Sequence, residues 1–166
     1  MSSPFRAIGA QIDLPAMERS IIDFWNSEKI FTQSIEARSG ATPWTFYEGP
    51  PTANGMPGTH HIEARVFKDV FPRYQTMKGK YVTRKAGWDC HGLPVEIAVE
   101  KELGFAGKGD IEKYGIAAFN DKCRESVTRH VGAFTTMTER MGFWVDFDQA
   151  YWTMAPEYVE LSLIHI

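Results

Sequence analysis

One segment restricts the fold more than any other. Trp44-Thr45-Phe46-Tyr47 runs straight into Glu48-Gly49-Pro50-Pro51-Thr52-Ala53-Asn54-Gly55-Met56-Pro57-Gly58-Thr59-His60-His61. From there Ile62, Val66, Val70 and Tyr74 recur every fourth residue, with Phe67 and Phe71 widening the stripe. β-forming residues, a glycine- and proline-rich turn and a 3.6-residue apolar period predict, in that order, a strand over 44–47, a stiff loop and an amphipathic helix opening at the histidines. Pro72 is expected to bend or break that helix.

The remaining sequence extends this unit. Gly79 ends the helix, Tyr81-Val82-Thr83 reads as a second strand, and residues 93–103 read as a second helix after Pro94, giving a β-α-β-α order. Residues 110–141 carry a helical pattern interrupted near Gly115, and residues 144–152 alternate aromatic with polar or acidic side chains, as a strand or extended loop does. Upstream, Met17, Ile21, Phe24 and Trp25 form a helical stripe after Leu14-Pro15, and residues 34–42 read as a loop. Pro156-Glu157-Tyr158-Val159-Glu160 reads as the first turn of a helix. With 166 residues, one domain is expected, of class α/β: a Rossmann-like parallel sheet preceded by a helical leader.

Charge narrows the partners. Lys and Arg total 18 against 21 Asp and Glu, so any anion site has to be local. Residues 1–10 lack the apolar core of a secretory signal, and no membrane-length apolar run occurs, so the expected place is cytoplasmic, without a membrane. Cys90 and Cys123 have no CxxC spacing and are expected to be free thiols.

A glycine-rich turn ahead of a helix gathers unpaired N–H groups and the positive end of the helix dipole, where phosphate binds. Gly49, Gly55 and Gly58 allow close approach, the prolines stiffen the loop, and His60 and His61 can donate to phosphate oxygens. From 65 to 85 seven Lys or Arg face one Asp, although several of these simply belong to solvated surface. A metal site built from His60, His61, Glu63, Asp89 and His91 is the competing reading. Adjacent histidines point about 100° apart on a helix, and no HExxH spacing is present, so no metal ligand is assigned, with zinc left open.

Three blocks then carry a resemblance: Phe46-Tyr47-Glu48-Gly49-Pro50-Pro51-Thr52-Ala53-Asn54-Gly55, Lys68-Asp69-Val70-Phe71-Pro72-Arg73-Tyr74, and Gly87-Trp88-Asp89-Cys90-His91-Gly92-Leu93-Pro94-Val95-Glu96. Together they resemble the class I aminoacyl-tRNA synthetases, most closely the isoleucyl family, over residues 5–160. Trp144-Val145-Asp146 and Tyr151-Trp152-Thr153-Met154 are similar to that family too. Its turn normally reads His-x-Gly-His, whereas Gly58-Thr59-His60-His61 resembles the G-x-H-H variant of a second type of isoleucyl enzyme. The resemblance implies ATP with Mg²⁺, isoleucine and, for the full-length protein, tRNA(Ile) as ligands. It implies catalytic roles for His60 and His61, with Gly55, Gly58 and Thr59 joining them around ATP. Pro50, Trp88, Asp89, His91 and Gly92 are implied to border the amino acid, with the Asp89 carboxylate meeting its ammonium group.

On this reading residues 1–43 are the leader, 44–105 the first half of the catalytic domain, and 106–160 a helical segment with the start of the connective insertion. Residues 161–166 match the translation of a transposase-library end sequence and are expected to be non-native. The segment alone is expected to be nearly inactive. A metal-dependent hydrolase and a non-catalytic synthetase-like binding domain are the alternatives.

Overall fold

The computed structural model describes residues 11–164. The signal-peptide reading of residues 1–10 and the last two positions of the 161–166 reading lie outside them. The elements run α1 (Leu14–Ser27), α2 (Ile30–Glu36), α3 (Thr59–Met77), β1 (Lys85–Trp88), α4 (Leu93–Leu103), α5 (Lys108–Tyr114), α6 (Ile116–Thr128), α7 (Val131–Arg140), β2 (Asp146–Trp152) and α8 (Pro156–Ile164). Among the described residues no helix is long and apolar enough to cross a membrane.

β1 and β2 pair in parallel, with Gly87 opposite Tyr151 and Trp88 opposite Trp152, and α4 to α7 form the connection between them. A helical crossover is what parallel pairing requires. The pairing is tight at Gly87, where a Cβ would lie 2.5 Å from two atoms of the Tyr151 ring. α4 opens with Pro94 in its first turn and buries Val95 and Val99, an i, i+4 pair on one face. Trp88, Cys90, Val95, Val127 and Phe134 close the core beneath the sheet together with Ala53.

The expected strand over 44–47 does not form. Pro43 makes an isolated parallel bridge to Tyr81, supported by Trp44 N–H to the Tyr81 carbonyl at 2.9 Å, and Tyr47 is 88% exposed. β-propensity expresses a fit against neighbouring strands, and here that neighbour is lacking among the described residues. The strand expected at 81–83 lies instead at 85–88, where β2 supplies the ladder. Residues 34–42 are only partly loop, since α2 reaches Glu36. Lys29 at φ 51° separates α2 from α1, and Phe31 stacks on Trp144 at 5.8 Å to hold the turn in place.

α3 departs furthest from its pattern. Pro72 neither breaks it nor lies on its surface: the helix runs through to Met77 with Pro72 fully buried, and the Thr76 hydroxyl donates to the Pro72 carbonyl at 2.8 Å. Burial of that face offsets the one backbone bond a proline cannot make. The buried residues are Arg65, Pro72 and Thr76, while Val66, Phe67, Val70, Phe71 and Tyr74 of the apolar stripe are 49–61% exposed. The polar face is held by specific partners. Arg65 Nε donates to Thr138 Oγ1 at 2.8 Å, Arg84 donates to Thr76 Oγ1 at 2.9 Å and pairs with Asp69, and Asp69 also pairs with Arg73. Arg73 lies over Trp144, 4.0 Å from the ring centroid, and over Trp25, which ties the leader helices to α3.

Candidate active site

The site is built on the 48–58 loop, which runs past the carboxyl ends of both strands. Each anchor comes from a different element. Lys68 of α3 pairs with Glu48 and donates to the Gly49 carbonyl. Tyr151 of β2 donates its hydroxyl proton to the Glu48 carbonyl at 2.7 Å. The Asp89 N–H reaches the Pro51 carbonyl at 3.0 Å, the His130 N–H reaches the Ala53 carbonyl at 3.1 Å, and the Asn54 amide reaches the Pro94 carbonyl at 3.0 Å. The loop has no helix or strand of its own, so these bonds satisfy its backbone and fix its path.

At its far end Gly58 adopts an extended backbone and begins α3. His61 N–H donates to the Gly58 carbonyl at 3.0 Å, and Gly58 N–H donates back to His61 Nδ1 at 2.9 Å. Accepting at Nδ1 leaves the neutral His61 ring with its proton on Nε2, as a single donor. Burial, followed by the charges of His60, Arg65 and Lys68, holds the His61 pKa below its usual value and keeps that neutral form. Its ring meets Phe134 edge-on at 4.8 Å.

His60 is exposed and its ring lies 3.9 Å from that of His61. It folds back over Gly58, where a Cβ would meet Cε1 at 3.0 Å and Nδ1 at 3.1 Å. A side chain at position 58 would therefore press on the His60 ring, which would have to give by a few tenths of an ångström. Thr59 is exposed at the first helical position. A Cβ at Gly55 would meet open space, so close packing within the chain does not require glycine there.

The second cluster sits where β1 ends. Asp89 Oδ2 accepts from the Thr52 hydroxyl at 3.1 Å, and Oδ1 accepts from the His91 N–H at 3.2 Å. Pro50 is half-buried and His91 is exposed. Gly92 caps α4 at φ 97°, a backbone region that favours glycine. Trp88 faces the other way, 3% exposed, stacked on Phe147 at 6.1 Å and edge-on to Phe134 at 6.3 Å. The structure therefore joins Pro50, Asp89, His91 and Gly92 to the Gly58–His61 turn through one loop, and gives the Trp88 ring to the core.

His60, His61, Glu63, Asp89 and His91 are not drawn together: among the described residues, no group of three or more His, Cys, Asp or Glu could hold a metal ion. Cys90 and Cys123 are both free, with burial raising their thiol pKa values. Sequence reasoning missed three residues. Thr52 and Thr153 contact Asp89, and Lys68 grips the loop. Thr52 and Lys68 lie within two of the three blocks and Thr153 within the 151–154 match, but a hydroxyl or ammonium carries no spacing signal of its own.

Residues 20–164 match the family model for class I tRNA synthetases (I, L, M and V). The isoleucine–tRNA ligase of Cutibacterium acnes is 68% identical over 156 residues, covering 94% of this chain and 14% of that ligase. The isoleucine–tRNA ligase of Thermus thermophilus is 51% identical over 156 residues, covering 94% of this chain and 15% of the ligase. Isoleucine–tRNA ligase 2 of Pseudomonas fluorescens is 52% identical over 152 residues, covering 92% and 15%. The chain thus spans about one seventh of the length of these relatives. Among solved structures, the agnB2 LeuRS of Agrobacterium radiobacter K84, in a ternary complex with tRNA and LeuAMS, has the same fold at a TM-score of 0.58. It is 23% identical, over 93% of this chain and 18% of that one.

Proposed function

Because the chain belongs to the class I tRNA synthetases, we propose that it is the ATP- and amino-acid-binding part of an isoleucine–tRNA ligase. The observation that carries the reading is the shared loop, which links the Gly58–His61 helix start to the Asp89 turn. In the reaction a carboxylate oxygen of isoleucine bonds to the α-phosphorus of ATP, the bond to pyrophosphate breaks, and isoleucyl-adenylate forms. Transfer to tRNA(Ile) follows in the whole protein.

Such chemistry relies on positioning and charge stabilisation. The neutral His61 donates from Nε2, the Thr59 and His60 amides at the start of α3 face the phosphates, and His60 adds a second imidazole beside them. Asp89 binds the α-ammonium, with its oxygens oriented by Thr52 and the His91 amide, and Pro50 borders the side chain. The first turn of α3 has no acidic residue to repel phosphate, and Mg²⁺ accompanying ATP would supply further charge neutralisation. A cytoplasmic place is in keeping with this role.

The test replaces the matching segment of the Cutibacterium acnes ligase with residues 5–160 of this chain. Isoleucine-dependent ATP–pyrophosphate exchange is expected in the chimera and near background for the chain alone. Asp89→Ala in the chimera is expected to raise KM for isoleucine far more than KM for ATP. A folded chimera whose exchange ignores Asp89→Ala would overturn the assignment.

A further inference from the structure

The bonds around Asp89 include one group whose role the reaction above leaves unused. Thr153 is the first residue beyond β2, 6% exposed, and its N–H holds the Trp88 carbonyl at 3.1 Å. Its Oγ1 accepts the Cys90 N–H at 2.8 Å, lies 3.1 Å from His91 Nδ1 and lies 3.5 Å from Asp89 Oδ1. One hydroxyl therefore touches three successive residues of the turn.

Its single proton can go to only one of the two remaining partners. An ionised carboxylate can accept and cannot donate. If the proton went to His91 Nδ1, a hydroxyl lone pair would be left facing a charged oxygen lone pair. If it goes to Asp89, the 3.5 Å contact becomes a long hydrogen bond to a charged acceptor, and His91 Nδ1 then carries a proton and donates it to Oγ1. That pattern uses every donor and acceptor once: Cys90 N–H and His91 Nδ1–H into Oγ1, and the Oγ1 proton onto Asp89. It leaves His91 Nε2 unprotonated on the exposed edge of the ring.

We propose that Thr153 is a positioning residue that ties the Asp89–His91 turn to the end of β2, sets the His91 ring in its Nδ1–H form, and so holds the Asp89 carboxylate in place for the amino group of the substrate. The substrate half of this statement rests on the proposed function. The tether itself rests on geometry alone. It also explains why two segments 62–64 residues apart in sequence meet at this turn.

The experiment uses the 166-residue chain with Thr153→Val, which keeps the shape and removes the hydroxyl, and Thr153→Ser, which restores it. Long-range proton–nitrogen NMR of the imidazoles reports the tautomer directly. The wild type and T153S are expected to show His91 protonated at Nδ1, and T153V is expected to shift it to Nε2. In a parallel titration of the chimera described above, T153V should weaken L-isoleucine by about threefold, the weight of one long hydrogen bond, and leave 3-methylpentanoate, which lacks the amino group, unchanged. An Nε2–H tautomer in the wild type, or a tautomer indifferent to T153V, overturns the tether. Equal weakening of both ligands, or weakening not rescued by T153S, overturns the positioning role. If the wild-type chimera binds no isoleucine, the amino-acid reading falls, and the tautomer result then decides the tether by itself.

Discussion

Gly87→Ala tests whether the loop is held by the sheet. The added Cβ would stand 2.5 Å from Tyr151 Cε1 and Cζ and 3.0 Å from Cε2. Ordinary carbon contacts lie at about 3.5–4.0 Å, so the ring must retreat by about 1 Å. It has little freedom to do so. Its backbone is paired with Gly87 itself, its hydroxyl is bonded to the Glu48 carbonyl at 2.7 Å, and its face is stacked on Tyr158 at 5.6 Å. Overpacking of this kind costs about 1–3 kcal/mol, and losing the Tyr151 bond adds about 1 kcal/mol. Gly87 is not in the positive-φ region, so alanine also stiffens the unfolded chain and returns about 0.4–1 kcal/mol. The net loss is about 2 kcal/mol, a fall in Tm of roughly 4–8 °C for a chain of this size. Thermal unfolding followed by near-ultraviolet circular dichroism measures it. The double variant G87A/Y151A, which has no ring to strike, should be no less stable than Y151A. Wild-type stability in G87A, or additive losses in the double variant, would refute the reasoning.

His61 predicts a pH dependence whose sign follows from its lowered pKa. The unfolded imidazole binds its proton near pH 6.5 and the folded one only below that, so between the two values the unfolded chain holds more protons and stability falls as pH falls. Tm measured from pH 7.5 to 5.5 should drop more for the wild type than for His61→Asn, and parallel curves would remove the claim. Arg84 is 1% exposed, its pKa is pushed down to about 10 by burial, and its Nε has no partner among the described residues. Arg84→Ala strips Thr76 and Asp69 of a buried cation and should cost about 3–5 kcal/mol in urea unfolding. On α3, Phe67→Ser and Phe71→Ser should each change the stability of this chain by less than about 0.5 kcal/mol, whereas Arg65→Ala should cost about 1–3 kcal/mol, the reverse of what the apolar pattern implies.

That reversal shows where reading the chain residue by residue reaches its end. The start of α3 at the histidines, the opening of α4 beside Pro94 and the break at Gly115 were legible because each depends on local chemistry: a backbone angle, a missing N–H, a capping turn. The glycines, imidazoles and carboxylate of the candidate site stood out for a similar reason, since each residue type brings its chemistry with it. Whether 44–47 pairs as a strand was not, because a strand exists only beside a partner. The 3.6-residue period of α3 states that its two faces differ, and nothing in the period says which one turns inward.

The sequence by itself determined the parts: a helix that opens at the 58–61 turn, glycines and imidazoles gathered at that turn, and a kinship written in three blocks. Tertiary structure decided their relations. It turned Arg65, Pro72 and Thr76 of α3 inward against Thr138 and Arg84, sent Trp88 into the core, and brought Thr153 to Asp89 across 64 residues. The physical reason is range. Propensity and capping act within a turn of chain, while the partner of a buried guanidinium or a shared hydroxyl proton is chosen by whatever distant segment arrives within about 3 Å of it.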